Sequence, residues 1–243
     1  DSGKGTTVDF LTRELGVRSI VRHGGPQAAH NVVTPENMRH CFAQFGSGTL
    51  VDDVRTYLSS KMLIAPDAFM NELRALEEKG AEDALSRTYF NPESIIVTPW
   101  HTMVCQMLEL ERGEERHGSC GVGVGQAIYD SEAGLYLTVG DILDAEKLKS
   151  KLETIFEAKR AIALDILART DDEIIKSRFD YFMTERNVES VSAGYLNFAD
   201  RVRGQVVDER VFFGKNTSQI IFEGSQGALL DRRYGFYPYI TKS

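Results

Sequence analysis

The opening stretch, Asp1-Ser2-Gly3-Lys4-Gly5-Thr6-Thr7, constrains the fold more than any other part of the chain. It runs straight into Val8-Asp9-Phe10-Leu11, which has helical spacing, and Val17–Val21 then reads as a strand. A glycine-rich turn that opens a helix leading into a buried strand is the start of an α/β sheet. Gly3 and Gly5 place no Cβ in the way of a close backbone approach, and Lys4 adds a point charge. With the N–H groups of a helix N-terminus these make a site for phosphate oxygens. The match to the phosphate-loop signature is incomplete, because the upstream glycine is absent and Gly5 stands where Ser or Thr would follow the lysine. Asp1 suits a Mg²⁺ ion or a proton rather than phosphate, since like charges repel. Such a loop ordinarily follows a buried strand, so a β-strand is expected upstream of Asp1. Val8, Phe10, Leu11 and Leu15 are expected on the buried face of the helix, with Gly16 as its stop. Taken alone, the turn also fits a plain helix start.

After Val21 comes Arg22-His23-Gly24-Gly25-Pro26-Gln27-Ala28-Ala29-His30, a polar turn at a strand end, where open α/β sheets bind ligands. His30 there is either an acid or hydrogen-bond donor beside a reacting oxygen, or a cap for the turn. Short strands are expected at Asn31–Val33, Arg39–Phe45, Lys61–Ile64 and Ile95–Thr98. Pro66-Asp67 opens a helix to Lys79 with Phe69, Leu73 and Leu76 inward, and a second helix is expected over His101–Arg116. Trp100 reads as core, and His101 sits where a ligand role is open. The stretch His117–Gln126 is the most glycine-dense. It either wraps an anion or is a surface loop, and Cys120 in it would be reactive only among electropositive groups. Amphipathic helices are expected over Ala145–Ala168, Asp171–Thr184 and Ser190–Val207, a helical subdomain (143–207) within one unit spanning 1–243. Ile220-Ile221-Phe222 returns as a strand before Glu223-Gly224-Ser225-Gln226-Gly227. The fold expected is α/β, a central mostly parallel sheet flanked by helices.

A net charge of −8 argues against a broad nucleic-acid-binding face but allows a local basic pocket. Cys41, Cys105 and Cys120 are an odd count without metal spacing, which points to reduced thiols in a cytosolic protein. No apolar run approaches membrane-spanning length. A cytoplasmic protein with no membrane or nucleic-acid partner is the expectation.

In order along the chain, Asp-Ser-Gly-Lys-Gly, Gly-Gly-Pro-Gln-Ala-Ala-His, the Gly118–Gly125 loop, Val139-Gly140-Asp141 and Phe-Glu-Gly-Ser-Gln-Gly-Ala-Leu-Leu-Asp…Tyr-Gly-Phe-Tyr-Pro-Tyr-Ile-Thr resemble adenylosuccinate synthetase. The resemblance covers the whole chain, and its last motif is long and specific. Family members continue past the point matching Ser243, into segments that grip the guanine base and the incoming aspartate. The resemblance implies a ligase that joins L-aspartate to IMP with GTP and Mg²⁺, through a phosphorylated ring oxygen. It implies that Asp1 is the general base that also touches Mg²⁺, that His30 is the general acid, and that Gln226 hydrogen-bonds the same purine edge. It likewise assigns Gly3, Lys4, Gly5 and Thr6 to the nucleotide phosphates, the Ala29 carbonyl to Mg²⁺, and Gln27, Ala28, Ser119, Cys120 and Thr241 to the purine nucleotide. A homodimer is implied as well.

The departures bear on the acceptor. Ser2 replaces an acidic residue, Gln27 an asparagine, and Ser119-Cys120 a pair of threonines. Val122 replaces an arginine, and Gly134-Leu135 an arginine pair lent across the family's dimer interface. Loss of a guanidinium at a phosphate removes a charge-assisted, often bidentate contact. Three readings follow: the family reaction on IMP, the same chemistry on another hydroxypurine, or a nucleotide-binding paralogue without chemistry.

Overall fold

The computed structural model of the chain describes residues 3–116, 118–214, 219–231, 233–237 and 239–241. Asp1 lies outside these, so the carboxylate assigned as base and metal ligand has no position here.

Helix α1 (Lys4–Glu14) leads to β1 (Ser19–Gly24), followed by a hairpin of β2 (His30–Val33) and β3 (Arg39–Phe42). The main sheet is completed by β4 (Arg55–Met62), β5 (Thr88–Phe90) and β6 (Ile220–Gly224) in the order β5-β4-β1-β6, with every pairing parallel. Parallel strands need crossovers: the β2–β3 hairpin lies in the one from β1 to β4, α2 (Pro66–Glu77) joins β4 to β5, and α3 (Pro99–Glu111), α4 (Val124–Glu132), α5 (Ala145–Leu167), α6 (Glu173–Thr184), α7 (Val188–Val202) and α8 (Glu209–Gly214) lie between β5 and β6. The expected class, a parallel sheet flanked by helices, is the one observed.

Several local expectations are corrected. Val8 is buried as expected, but Phe10 and Leu15 are exposed, and Gly5, Asp9 and Thr12 complete the buried face of α1. Its inward stripe is small and polar because the helix start lies directly on β2. The strand expected at Lys61–Ile64 starts earlier, at Arg55. Ile95–Thr98 makes only isolated bridges, Ile96 to Ile64 and Ile95 to Thr138. Helix α4 and strand β5 were not expected. Gly123, at φ 89°, starts α4 at a point where a Cβ would stand 2.6 Å from the His101 carbonyl carbon. Only glycine fits that approach, so the glycine density ends in a helix cap.

One large apolar core runs from Phe42, Phe45 and Leu58 through Phe69 and Trp100 to Leu152, Ile155 and Phe198. Helices α5, α6 and α7 pack on α3 and α2. Each starts at a polar cap: Asp144 accepts from the Glu146 and Lys147 N–H groups, Asp172 from Ile174 and Ile175, and Asn187 from Ser190. Trp100 is core, as expected, with its Nε1 donating to the Arg186 carbonyl at 2.8 Å.

His101 is also buried, with both ring nitrogens paired inside the protein. Its Nδ1 accepts from the Thr98 N–H at 2.9 Å in a capping box, so the hydrogen sits on Nε2, 3.1 Å from Asp130 Oδ2. Asp130 Oδ1 accepts from Lys159 Nζ at 2.6 Å, and all three groups are buried. This set ties α3, α4 and α5 together. Replacing Lys159 by methionine leaves Asp130 charged with only His101 beside it, so unfolding free energy should fall by about 3 kcal/mol, measured by urea denaturation.

Asp141, ahead of α5, is held by Lys147 Nζ at 2.7 Å, Lys151 Nζ at 2.5 Å and the Thr138 N–H at 2.9 Å. Burial pushes its carboxyl up, but Lys147, Lys151 and Thr138 outweigh that and bring it down to about 2. A depressed folded value means stabilisation that is present above pH ~4 and lost as pH falls towards ~2. Asp141→Asn should flatten the stability profile in that window, seen in thermal melts across the acid range.

Candidate active site

The carboxyl ends of β1 and β6 lie side by side, and the ladder register sets Arg22 opposite Glu223 and His23 opposite Gly224. His30 opens β2 next to them. Arg22, His30 and Glu223 are all buried. Glu223 Oε1 lies 2.6 Å from His30 Nδ1 and 3.2 Å from Arg22 Nη1, and it also accepts from the Ser47 hydroxyl. Its Oε2 accepts from the Ser47 N–H at 3.0 Å. Burial raises the Glu223 carboxyl, yet the Arg22 guanidinium, His30 and Ser47 together hold it below the usual carboxylate range. A carboxylate only accepts, so the hydrogen of His30 is on Nδ1. Arg22 Nη2 donates to the Ala43 carbonyl at 2.6 Å, which fixes the guanidinium.

The other ring nitrogen, His30 Nε2, is 3.4 Å from the Ser225 carbonyl, in the loop that carries Gln226. Ser225 joins that loop to β1: its N–H donates to the His23 carbonyl at 3.1 Å, and its Oγ accepts from the Gly25 N–H at 3.1 Å. Gly24, at φ 104°, leaves the room this needs, because a Cβ there would overlap the Ser225 side chain.

The start of α1 closes the site from another direction. A Cβ on Gly5 would stand 3.0 Å from His30 Cβ and 3.2 Å from the Asn31 carbonyl, and Thr6 Oγ1 donates to that carbonyl at 3.4 Å. The glycine-lysine-glycine turn and the histidine therefore touch. Gly3 takes φ 77° and caps the helix without a side chain.

Two cavities border the Gln226 loop. One of about 130 Å³ is lined by His23, Gly24, Gly224–Ala228 and Asp231. The other, of about 440 Å³, brings together Gln27, Ser119, Cys120, Gln226 and Thr241 with the glycine-dense loop. Helix α3 pins that loop: Glu109 accepts from the Gly118 and Ser119 N–H groups at 3.1 and 3.2 Å, Gln106 donates to the Gly121 carbonyl, and Thr102 to the Val122 carbonyl. Ala28 is buried beneath its turn and lines neither cavity, while the Ala29 residue just before His30 is exposed. Lys4 and Thr6 stay with α1, outside both cavities.

Sequence reasoning missed Arg22, Ser47 and Glu223. The available signal was one charged residue inside each of two apolar runs, Ser19-Ile20-Val21-Arg22 and Ile220-Ile221-Phe222-Glu223. Charges buried in strands demand partners.

The adenylosuccinate synthetase family model matches residues 1–243. Adenylosuccinate synthetase of Synechococcus sp. (strain WH7803) is 32% identical over 247 residues, covering all of this chain and 52% of the relative. That of Vibrio vulnificus (strain YJ016) is 30% identical over 244 residues, with coverage of 100% and 52%. Among solved structures, the fully ligated adenylosuccinate synthetase of Plasmodium falciparum matches with a TM-score of 0.82 at 21% identity, over 100% of this chain and 53% of that one. The succinoaminodeoxyadenylate synthetase of cyanophage S-2L, bound to dGMP and dATP, matches with a TM-score of 0.56 at 18% identity, over 99% and 52%. The chain spans about half the length of these relatives. Because one family model accounts for every residue and the sheet follows that family's fold, the chain belongs to the adenylosuccinate synthetase family.

Proposed function

We propose that the protein carrying this chain is a cytoplasmic ligase of purine nucleotide biosynthesis that joins L-aspartate to IMP using GTP, through a 6-phosphoryl intermediate. Residues 1–243 form one partial domain of it, with 143–207 as a helical subdomain, and the enzyme is a homodimer like its family. The observation that carries the reading is the meeting of three segments at the carboxyl end of the parallel sheet. His30 touches Gly5 of the phosphate-type turn on one side, and its Nε2 reaches the Gln226 loop on the other.

The chemistry needs such a meeting. A ring oxygen is a poor leaving group, so it is phosphorylated before an amine displaces it. In this reading Asp1 takes the N1 proton, and the charge that develops on O6 makes it the nucleophile towards the γ-phosphorus. The bond from phosphorus to GDP breaks as the bond to O6 forms. The aspartate amine then attacks C6, loses a proton, and phosphate departs with O6. His30 donates to the oxygen that transfers and leaves, and Gln226 hydrogen-bonds the same purine edge. Gly3, Lys4, Gly5 and Thr6 hold the nucleotide phosphates, and Gln27, Ala28, Ser119, Cys120 and Thr241 hold the acceptor. Mg²⁺, when bound, neutralises charge on the phosphoryl oxygens, with Asp1 and the Ala29 carbonyl as its protein ligands. The described residues contain no group of three His, Cys, Asp or Glu side chains that could hold a metal ion. That fits a cation shared with phosphates rather than caged by protein. No described helix is long and apolar enough to cross a membrane.

A second reading, the same chemistry on another hydroxypurine acceptor, is favoured by one observation. Val122 lines the larger cavity, and Leu135 packs against the main core, where the resemblance would set arginines. The acceptor's far end is then gripped differently.

Full-length protein supplied with IMP, GTP, Mg²⁺ and aspartate should release GDP and form a succinylated product in equal amounts, and omission of any one should stop both. Asp1→Asn should lower turnover by about 10²- to 10⁴-fold while nucleotide binding, measured by calorimetry, changes little. Normal turnover in that variant would mean the base is another group. A panel of hydroxypurine nucleotides and nucleosides assayed by GDP release separates the two readings, and a strong preference for IMP discards the second.

A further inference from the structure

We propose that Gln106 and Arg178 are positioning residues for the acceptor: Arg178 fixes the Gln106 amide, and the amide fixes the glycine-dense loop that carries Ser119 and Cys120. The inference rests on the reading of that loop as part of the acceptor site, and it gives the helical subdomain a part in the reaction.

Three side chains at helical spacing on α3 hold the loop. Thr102 donates to the Val122 carbonyl at 2.8 Å, Gln106 Nε2 donates to the Gly121 carbonyl at 3.1 Å, and Glu109 accepts from the Gly118 and Ser119 N–H groups. Gly121, at φ 69°, lies close on the middle one, because a Cβ there would stand 3.2 Å from Gln106 Cγ. Residues 120–122 form a wall between two cavities. On one side is the cavity of about 440 Å³ where Gln27, Gln226 and Thr241 join Ser119 and Cys120. On the other is a cavity of about 400 Å³ lined by Pro66, Pro99, Gln106, Tyr181, Phe182 and Tyr195. With space on both sides, packing does little to hold this wall, and the hydrogen bonds from α3 set where it stands.

The Gln106 amide has one orientation. A guanidinium only donates and a carbonyl oxygen only accepts, so Oε1 faces Arg178 Nη1 and Nε2 faces Gly121. Turned over, the amide would set its oxygen against the Gly121 carbonyl and its hydrogens against Arg178. Arg178, from the middle of α6, is a costly way to secure this. Its Nε is buried without a hydrogen-bond partner, and among the described residues the guanidinium makes no ion pair. Two apolar side chains would join α3 to α6 without leaving a polar atom unpaired. The guanidinium does what they could not: it decides which end of the amide meets the loop.

A structural alternative is that Gln106 and Arg178 only join two helices. Gln106→Glu separates the two. The carboxylate accepts from Arg178 and gains an ion pair, but it has no hydrogen for Gly121 and repels that carbonyl. In full-length protein the thermal midpoint should hold or rise, while KM for IMP rises about tenfold, with kcat and KM for GTP within about threefold of wild type. Amide hydrogen exchange over 118–124, read by mass spectrometry, should quicken in parallel. Arg178→Met provides a second variant if the new charge prevents folding. It frees the amide to turn over, so KM for IMP and loop exchange should both rise, and Arg178→Lys, which keeps one donor for Oε1, should restore both. A folded Gln106→Glu or Arg178→Met protein with unchanged loop exchange overturns the proposal, and so does faster exchange with an unchanged KM for IMP. A loss shared equally by kcat and KM for GTP overturns it too, because that is a general loss of structure. If wild-type protein turns over no acceptor, the ligase reading fails. Loop exchange and the calorimetric affinity for IMP then decide the proposal alone: weaker binding with faster exchange in the variants upholds it, and any other result overturns it.

Discussion

Arg22 and Glu223 face one another in register across two parallel strands, and both are buried. Burying either alone would cost several kcal/mol, so neither strand can slip without stranding a charge. The register they enforce has consequences one residue further on. His23 is set opposite Gly224, the backbone of Ser225 reaches the carbonyl of His23, and the Gln226 loop is thereby hung from β1. An apolar pair of similar size would hold the sheet as well or better, since replacing a buried ion pair with well-packed hydrophobic groups is often neutral or stabilising. What the charges add is direction. A carboxylate with four donors around it has one orientation, and His30 inherits that orientation.

The helical side of the molecule repeats the device. Lys159, from the middle of α5, reaches Asp130 near the end of α4, and Asp130 in turn faces His101 in the first turn of α3. His101 is a fixed tautomer here because the Thr98 N–H occupies its Nδ1. The same helix, α3, then extends Thr102, Gln106 and Glu109 to the backbone of the glycine-dense loop. One buried ion set thus governs the loops at the sheet edge, and a second governs the loop that carries Ser119 and Cys120. The larger cavity lies where these two loop systems meet, with Gln27 and Gln226 from one and Ser119 and Cys120 from the other.

Element types were largely readable along the chain, because α2, α5 and α7 carry apolar periodicity, α2 starts at a proline and α5 and α7 at polar caps, and β1 and β6 are short runs rich in apolar residues. Facing was less readable. Periodicity placed Phe10 and Leu15 inward on α1, but the helix is docked by Gly5 against His30, and a close approach selects small residues rather than large apolar ones. The first half of β4 was hidden by the polar stretch Ser59-Ser60-Lys61 next to it, and β5 by its length of three residues. For the site, His30 and Gln226 came from motif order, and the structure sets the histidine against the loop that holds the glutamine. Glu223 and Arg22 could not be found this way. They are separated by some two hundred positions, and their partnership exists only once β1 and β6 are known to be neighbours.

The two loop systems differ in how freely their side chains can change. The charge set around His30 draws on β1, β2, β6 and the 46–49 turn, all anchored in the sheet. Changing Arg22 or Glu223 alone strands the other's buried charge, about 3–5 kcal/mol, which is a large part of a domain's stability. Ser119, Cys120 and Gln27 carry no such penalty. Ser119 and Cys120 are exposed, their loop is held by backbone contacts to α3, and a change of side chain there leaves those contacts intact. Substitution is therefore cheap along the loop of Ser119 and Cys120 and expensive in the buried charge set around His30. A family member can vary along that loop long before it varies around His30.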